Sequence, residues 1–191
     1  NVIMKSVTRD QKKSINIRVN AGSVPPDHWV HDPEIGGGRI IGEVCHFVDL
    51  AGFIAGSKVR LINAFVLDGS PALNDTVTIN LAYQNGSIAN ISYYSNGNKN
   101  VPKERIEVFT DSVVYLIDDF RKILIYSGKG LKQIKLKNPD KGHTKQFELL
   151  CEALSSEKPL PISFEELYHS SFVTLEIIRS IKEKRSIEIS G

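Results

Sequence analysis

Three ionisable residues stand at helical spacing early in the chain: Glu43, His46 and Asp49. An imidazole titrates near neutrality, and a carboxylate one turn away fixes its tautomer and moves its pKa, so the trio is a candidate general acid/base. At 100° per residue, Arg39, Gly42, Glu43, His46 and Asp49 share one narrow face, while Ile40, Ile41, Val44, Cys45, Phe47, Val48 and Ala51 share the other. The apolar face is expected to pack and the ionisable face to look into a cleft. A solvated stripe on a surface helix has the same spacing, but the glycines argue against it. Gly36-Gly37-Gly38 lets the backbone approach a ligand or another segment closely, and Gly42 removes a side chain one turn below His46. Glycine inside a helix costs about 1 kcal/mol against alanine, so an exposed face gains nothing from it.

Such a face needs a helix, a loop before it and a platform beneath it. The glycine run ends the loop, and the helix is expected to reach Ala55, where Gly56 stops it. Upstream, residues 14–20 alternate Ile15, Ile17 and Val19 with polar neighbours, the pattern of a strand. Residues 21–35 contain Gly22, Pro25, Pro26 and Pro33, too many breakers for an element, and a loop of that length inside a domain is more often functional than idle. Trp29, the only tryptophan, reads equally as a core anchor and as a stacking surface for a substrate. Asn20 is suited either to binding a sugar hydroxyl or to a plain turn.

Beyond Ser57 the hydrophobic period becomes two. Strands are expected near residues 58–67, 76–83, 87–94, 105–110, 112–117, 121–126 and 131–136, joined by turn signals such as Gln84-Asn85-Gly86 and Asp118-Asp119-Phe120. Short turns make consecutive strands antiparallel. Two helices follow. The first, over 140–156, carries the stripe Phe147, Leu150, Cys151 and Leu154. The second, over 163–184, is capped by Ser163 and turns Leu167, Ser171, Thr174, Ile178 and Ile181 inward, and residues 186–189 add a short strand. The expected fold class is α+β, a large, mostly antiparallel open sheet with helices packed on one face. Residues 14–191 are expected to form a single domain behind a polar lead-in over residues 1–13. The 58–67 strand is apolar on both faces, so its second face is expected to meet another subunit. Tyr83, Tyr93, Tyr94, Tyr115 and Tyr126 serve either that interface or plain packing.

The 191 residues carry a net charge of +2, with 41% hydrophobic and 24% charged residues, the balance of a globular domain with an adequate core. That balance gives no ground for nucleic-acid binding, and Lys129, Lys132, Lys135 and Lys137 read as a lysine-guarded edge strand. Cys45 and Cys151 lack metal-ligand spacing and are expected as buried free thiols in a reducing compartment. His28 and His31 with Asp32 are a weak pattern in a proline-bounded loop, and no metal is expected. No apolar run approaches the roughly 20 residues of a membrane span and no secretory leader opens the chain, so the cytoplasm is expected and a membrane is not.

Asn20-Ala21-Gly22, Trp29, Asp32-Pro33, Gly36-Gly37-Gly38-Arg39-Ile40-Ile41-Gly42-Glu43 and Cys45-His46-Phe47-Val48-Asp49 together resemble the C-terminal domain of the Gfo/Idh/MocA oxidoreductases. These are two-domain NAD(P)-dependent dehydrogenases of sugars, inositols and sugar nucleotides. The resemblance implies that His46 exchanges the proton of a substrate hydroxyl while the neighbouring carbon exchanges a hydride with nicotinamide. It casts Glu43 as the orienter of His46 or a hydroxyl ligand, with Asp49 behind it. Asn20, Trp29 and Arg39 then line the substrate cleft, Arg39 facing a phosphate or carboxylate if the substrate is a sugar nucleotide. One position departs from the family: many members carry an aspartate four residues before the histidine, where this chain has Gly42 with Glu43 beside it. Members commonly pair through the open sheet face, which implies a homo-oligomer.

A G-x-G-x-x-G turn between a strand and a helix, with an acidic residue some twenty positions on, is absent from the sequence. Gly37 and Gly38 are the only positions offered for a cofactor contact. NAD or NADP is therefore expected to be held mainly by an N-terminal Rossmann domain of the same polypeptide, leaving this chain inactive alone. Glu157-Lys158-Pro159 spells the tripeptide that carries the family's catalytic lysine, but it falls between two late helices and is read as chance. Two other readings stand beside the dehydrogenase: a non-catalytic oligomerisation or binding module built on the sheet, and a cofactor-free isomerase or hydrolase using His46 with Glu43 on a sugar.

Overall fold

The computed structural model describes residues 11–25, 27–32, 34–68 and 75–189. Its centre is β1 (Ser14–Asn20), whose Ile15, Ile17 and Val19 are buried on one face while Ser14, Asn16 and Arg18 point to the other. β1 pairs in parallel with β4 (Ile88–Tyr94) and antiparallel with β5 (Glu104–Thr110). On one side, β4 continues an antiparallel meander with β3 (Val77–Tyr83) and β2 (Val59–Val66). On the other, β5 leads to β6 (Val113–Asp118), β7 (Lys122–Ser127) and β8 (Gly130–Lys135). The two-residue β9 (Ile187–Glu188) closes the β2 edge, giving the order β8-β7-β6-β5-β1-β4-β3-β2-β9. The mostly antiparallel open sheet is thus as the alternation predicts. The place of β1 is not, because short turns fix only consecutive strands and β1 is followed by a loop and a helix.

Two hairpins turn on residues with positive φ, Asp111-Ser112 at 41° and 61° and Asp119-Phe120 at 50° each. Two consecutive left-handed residues give the reversed turn whose twist matches the flanking strands. A widened π-turn over Ile40–Val44 runs into α1 (Cys45–Ala55), which ends on Gly56 at φ 67°. α1 and α3 (Phe164–Glu183) pack side by side against β1, β2 and β4. Val44, Val48, Ala51, Ile54, Val173 and Ile177 share one core with Ile17, Ile62, Ile79, Ile91 and Tyr93. Each fully buried aliphatic side chain of this kind contributes about 1.5–3 kcal/mol.

Several facing expectations are corrected. In α3 the buried residues are Val173, Thr174, Ile177 and Ser180, whereas Leu167 and Ser171, expected inside, are exposed. The inward face is set by hydrogen bonding as well as hydropathy: Ser180 Oγ accepts from the Ala64 amide at 3.2 Å and donates to the Arg185 carbonyl at 2.7 Å. In α2 (His143–Ser155) the stripe Phe147, Leu150, Cys151 and Leu154 is exposed and only Ala153 is buried. Neither thiol is fully buried, Cys45 being half-buried and Cys151 exposed. Tyr83, Tyr93 and Tyr115 are core residues, and Tyr126 alone among the buried-or-interface tyrosines is exposed. Residues 1–10 of the expected lead-in lie outside the described residues, but its end is packed. Lys13 is 2% exposed and its Nζ donates to the Ala55 carbonyl at 3.3 Å, a cation at the negative end of α1.

The face of the sheet away from α1 and α3 has a banded chemistry fixed by strand register. Asn63, Asn80, Asn90 and Asn16 stand opposite one another across four strands, and Asn90 Nδ2 donates to Asn80 Oδ1 at 3.0 Å. Beside this polar row run Leu61, Ala82 and Ile88 on one half and Phe109, Val114, Tyr126 and Leu131 on the other. The lysine-bearing β8 is the exposed edge, as expected. Among the described residues, no helix is long and apolar enough to cross a membrane.

α3 is tied to β2 by His169, whose Nε2 accepts the Val59 amide at 3.0 Å. Burial, and then the neighbouring Lys58 cation, hold the imidazole below its ordinary value, with Glu165 opposing. A depressed histidine is neutral when folded and takes up a proton on unfolding, so stability rises with pH through this range. Thermal unfolding followed between pH 7.5 and 5.5 is expected to show the melting temperature falling as the pH drops below about 6.5. In His169→Gln, which keeps an acceptor for Val59 but cannot titrate, that fall is expected to shrink; an unchanged slope would remove His169 as its source.

Candidate functional site

The loop leaving β1 folds onto itself before it reaches α1. Asp32 Oδ1 accepts from the Glu34 and Ile35 amides at 2.8 and 3.1 Å, and its carbonyl accepts from Gly36 and Gly37. The Gly38 amide donates to the Val30 carbonyl at 3.0 Å. A Cβ at Gly36 would lie 2.5 Å from the Trp29 carbonyl and from Val30 Cα, so this crossing of two backbones admits only glycine. The close approach anticipated from the glycine run is therefore made to the chain itself. With their amides committed to Asp32 and Val30, Gly37 and Gly38 form no cradle for a dinucleotide phosphate. Trp29 starts a short 3-10 turn (Trp29–His31), is 59% exposed and leans on the His28 ring at 5.6 Å, which removes its reading as a core anchor. His28 Nδ1 accepts the Val30 amide at 3.3 Å, and His31 Nδ1 is buried with no hydrogen-bond partner among the described residues.

Arg39 stands at the start of the π-turn and is 2% exposed. Nη1 donates to the Gly22 carbonyl at 2.6 Å, Nε and Nη2 reach Glu43 Oε1 at 3.1 Å each, and the guanidinium lies over the Tyr93 ring at 5.1 Å. As the helical wheel has it, Arg39 shares a face with Glu43, but its guanidinium is buried against the Gly22 carbonyl and the Tyr93 ring instead of lining an open cleft. Glu43 is half-buried, with Oε2 at 4.0 Å from Lys103 Nζ. The Tyr93 hydroxyl is buried and has no hydrogen-bond partner among the described residues, yet the Glu43 carboxylate is close enough to act on it. Burial first, then Glu43, push the phenol far up, against Arg39. One turn on from Glu43, His46 is exposed, and no described residue hydrogen-bonds its ring. Asp49 accepts from Ser170 Oγ at 2.8 Å and so ties α1 to α3. The three ionisable residues thus share a face, but each carboxylate is bonded elsewhere than to His46. Burial raises the neighbouring Cys45 thiol, partly offset by the His46 amide, which makes it a poor nucleophile.

Asn20 ends β1 with its amide turned under the β4–β5 connection. Nδ2 donates to the Asn98 and Val101 carbonyls at 2.8 and 3.0 Å, and a Cβ at Gly97 would fall 1.7 Å from Oδ1. Next to it opens a cleft of about 510 Å³ between that connection and the β6–β7 hairpin, with Lys99, Lys103, Asp118, Asp119, Arg121 and Lys122 in its wall. Sequence reasoning singled out Asn20 but missed these cations. Lys99 and Lys103 lie in a turn and Arg121 and Lys122 in a hairpin, and only the tertiary fold brings the two together.

The sequence profile of the GFO/IDH/MocA C-terminal domain matches residues 11–116. No curated protein sequence matches the chain. Among solved structures, an oxidoreductase domain protein from Kribbella flavida superposes with a TM-score of 0.82 at 17% identity, over 100% of this chain and 61% of its own. Aldose-aldose oxidoreductase from Caulobacter crescentus, complexed with glycerol, gives 0.77 at 15% identity, over 94% of this chain and 56% of its own. Levoglucosan dehydrogenase, in complex with NADH and levoglucosan, gives 0.79 at 14% identity, over 95% and 59%. At these identities the likeness is one of fold, and the chain spans less than two thirds of each of these structures.

Two glycines of the site separate cleanly by the space around them. Gly36→Ala is expected to lose about 1–3 kcal/mol of stability from overpacking against Val30. At Gly42 a Cβ would meet only Val30 Cγ2, at 3.7 Å, so Gly42→Ala is expected to be neutral or to gain up to about 1 kcal/mol. Urea denaturation of the two variants checks the contrast; equal losses would contradict the geometry.

Proposed function

The chain belongs to the GFO/IDH/MocA C-terminal domain family, and on that premise we propose that it is the substrate-binding and catalytic half of an NAD(P)-dependent oxidoreductase acting on a sugar, polyol or sugar nucleotide. The observation that carries the reading is His46, an exposed imidazole on a helix face whose neighbours Arg39, Glu43 and Asp49 are all held by other groups. A ring free of protein partners is available to a substrate hydroxyl. His46 takes that hydroxyl's proton as the carbon is oxidised and returns it in the reverse direction. Glu43, fixed by Arg39, sets the charge one turn below the imidazole or binds a second hydroxyl. Asp49 keeps α1 in place through Ser170, Trp29 offers its exposed ring to the sugar, and Asn20 and Arg39 position the wall and the helix rather than meeting the substrate.

The Gly37 and Gly38 amides are used within the loop, so they offer no donors to a dinucleotide phosphate. NAD or NADP is assigned to an N-terminal Rossmann domain of the same polypeptide, and no step here is routed through it. The NADH complex of levoglucosan dehydrogenase and the greater length of the solved relatives support that assignment. We place the protein in the cytoplasm and pair two copies through the banded face of the sheet, where Phe65, Ile88, Phe109 and Leu131 are exposed. The same face supports the second reading, an assembly module without catalysis.

The two readings part on one variant. In the protein extended upstream, His46→Asn is expected to lower kcat by about 10²–10⁴-fold with an unchanged melting temperature. Undiminished turnover would favour the assembly module, and turnover by the present chain without nicotinamide would overturn both. Sedimentation of the present chain is expected to show a dimer that Phe109→Glu converts to a monomer; a monomeric parent would exclude pairing through this face.

A further inference from the structure

The cleft beside Asn20 has a charge pattern that a neutral sugar does not need. Of the acids near it, Glu104 is 3% exposed and paired with Lys141 at 2.7 Å, and Asp119 is paired with Arg121 at 3.4 Å. Asp118 stands opposite Lys122 across the β6–β7 pair. Lys99 has no acidic partner among the described residues; its stem lies against Gly22, with Cε 3.6 Å from where a Cβ would be. Lys103 has only Glu43, at the outer limit of 4.0 Å. The turn that carries both lysines is held rigidly by Asn20, whose amide bonds Asn98 and Val101 and whose backbone N–H donates to the Lys103 carbonyl at 2.7 Å. Two exposed cations without close counter-charges thus stand in the wall of a cavity of about 510 Å³, within the usual range for small-molecule sites.

On the strength of these charges we infer that the cleft is the subsite for a phosphate group of the substrate, held by Lys99 and Lys103 with Arg121 and Lys122 on the facing hairpin. This deepens the dehydrogenase reading and rests on it. Lys103 joins the two places, lining the cleft while approaching Glu43, one turn before His46 on the same helix face. A phosphorylated sugar then sets its reacting hydroxyl at His46 and its anion at the lysines. The phosphate is either a monoester on the sugar or the diphosphate of a nucleotide-linked sugar; both present the oxygens that ammonium and guanidinium groups recognise.

The test is a set of titrations into the present chain, with glucose, glucose 6-phosphate, UDP-glucose and inorganic phosphate as probes, followed by amide NMR shifts. Glucose 6-phosphate or UDP-glucose is expected to bind and to move Asn20, Lys99, Lys103 and Lys122, the tighter of the two telling monoester from diphosphate. Lys99→Gln with Lys103→Gln, both exposed and outside the core, is expected to weaken that binding about tenfold or more and to leave weak glucose binding as it was. Raised salt is expected to weaken it too. The inference is overturned if glucose binds as well as its phosphorylated forms, if the lysine variant binds unchanged, or if inorganic phosphate binds as tightly as either ester. Failure at the cleft with His46-dependent turnover in the longer protein would remove the phosphate subsite and leave the dehydrogenase standing.

Discussion

A guanidinium keeps its charge at any pH a protein meets, so one that is 2% exposed has to be answered on every side. Arg39 is answered by three parts of the chain that are far apart in sequence. The Gly22 carbonyl comes from the loop after β1, Glu43 from the first turn of the helix, and the Tyr93 ring from β4. The three can satisfy the cation only in one arrangement, and that arrangement fixes the roll of α1 over the sheet. Everything proposed for His46 depends on that roll, because a helix turned by one residue would bury the imidazole or aim it away.

The polar residues near the site divide by what they touch. Asn20, Arg39, Asp49 and Gly36 are engaged with other parts of the protein and hold the loop, the helix and the cleft wall in register. His46, Trp29 and Lys99 are tied to nothing that a ligand would have to displace. Rigid partners beside free groups is the arrangement that lets a binding site act without first reorganising, since the cost of ordering the free side chains falls on few rotatable bonds.

Much of the fold was legible in the sequence because its elements obey local rules. Alternation marked each strand of the two meanders, Gly56 marked the end of α1, and Ser163 with Glu166 marked the start of α3. What was not legible depends on partners distant in sequence. The parallel pairing of β1 with β4 has no turn to announce it. Ser180 faces inward because β2 and the end of α3 supply its hydrogen bonds, and hydropathy is blind to that. At the site, spacing alone brought Glu43, His46 and Asp49 to one face, but it overlooked that Arg39 and Ser170 would claim the two carboxylates. The wheel did place Arg39 on the face of Glu43, with which it pairs, but spacing could not show that the Gly22 carbonyl and the Tyr93 ring would bury it.

The position of β1 bears on how the molecule is assembled in time. Each meander is built from neighbours in sequence, so each can pair as soon as it is synthesised, whereas Ile17 must find Ile91 on one side and Ile106 on the other. The earliest of the described strands is therefore the last to be secured. Until it docks, β4 and β5 each present an open edge with the apolar row of Ile91 or Ile106 uncovered, and two such edges on different molecules are as well matched to one another as to β1. Refolding should be limited by this one long-range insertion, and concentration should decide whether the gap is filled from within the chain or from a neighbour.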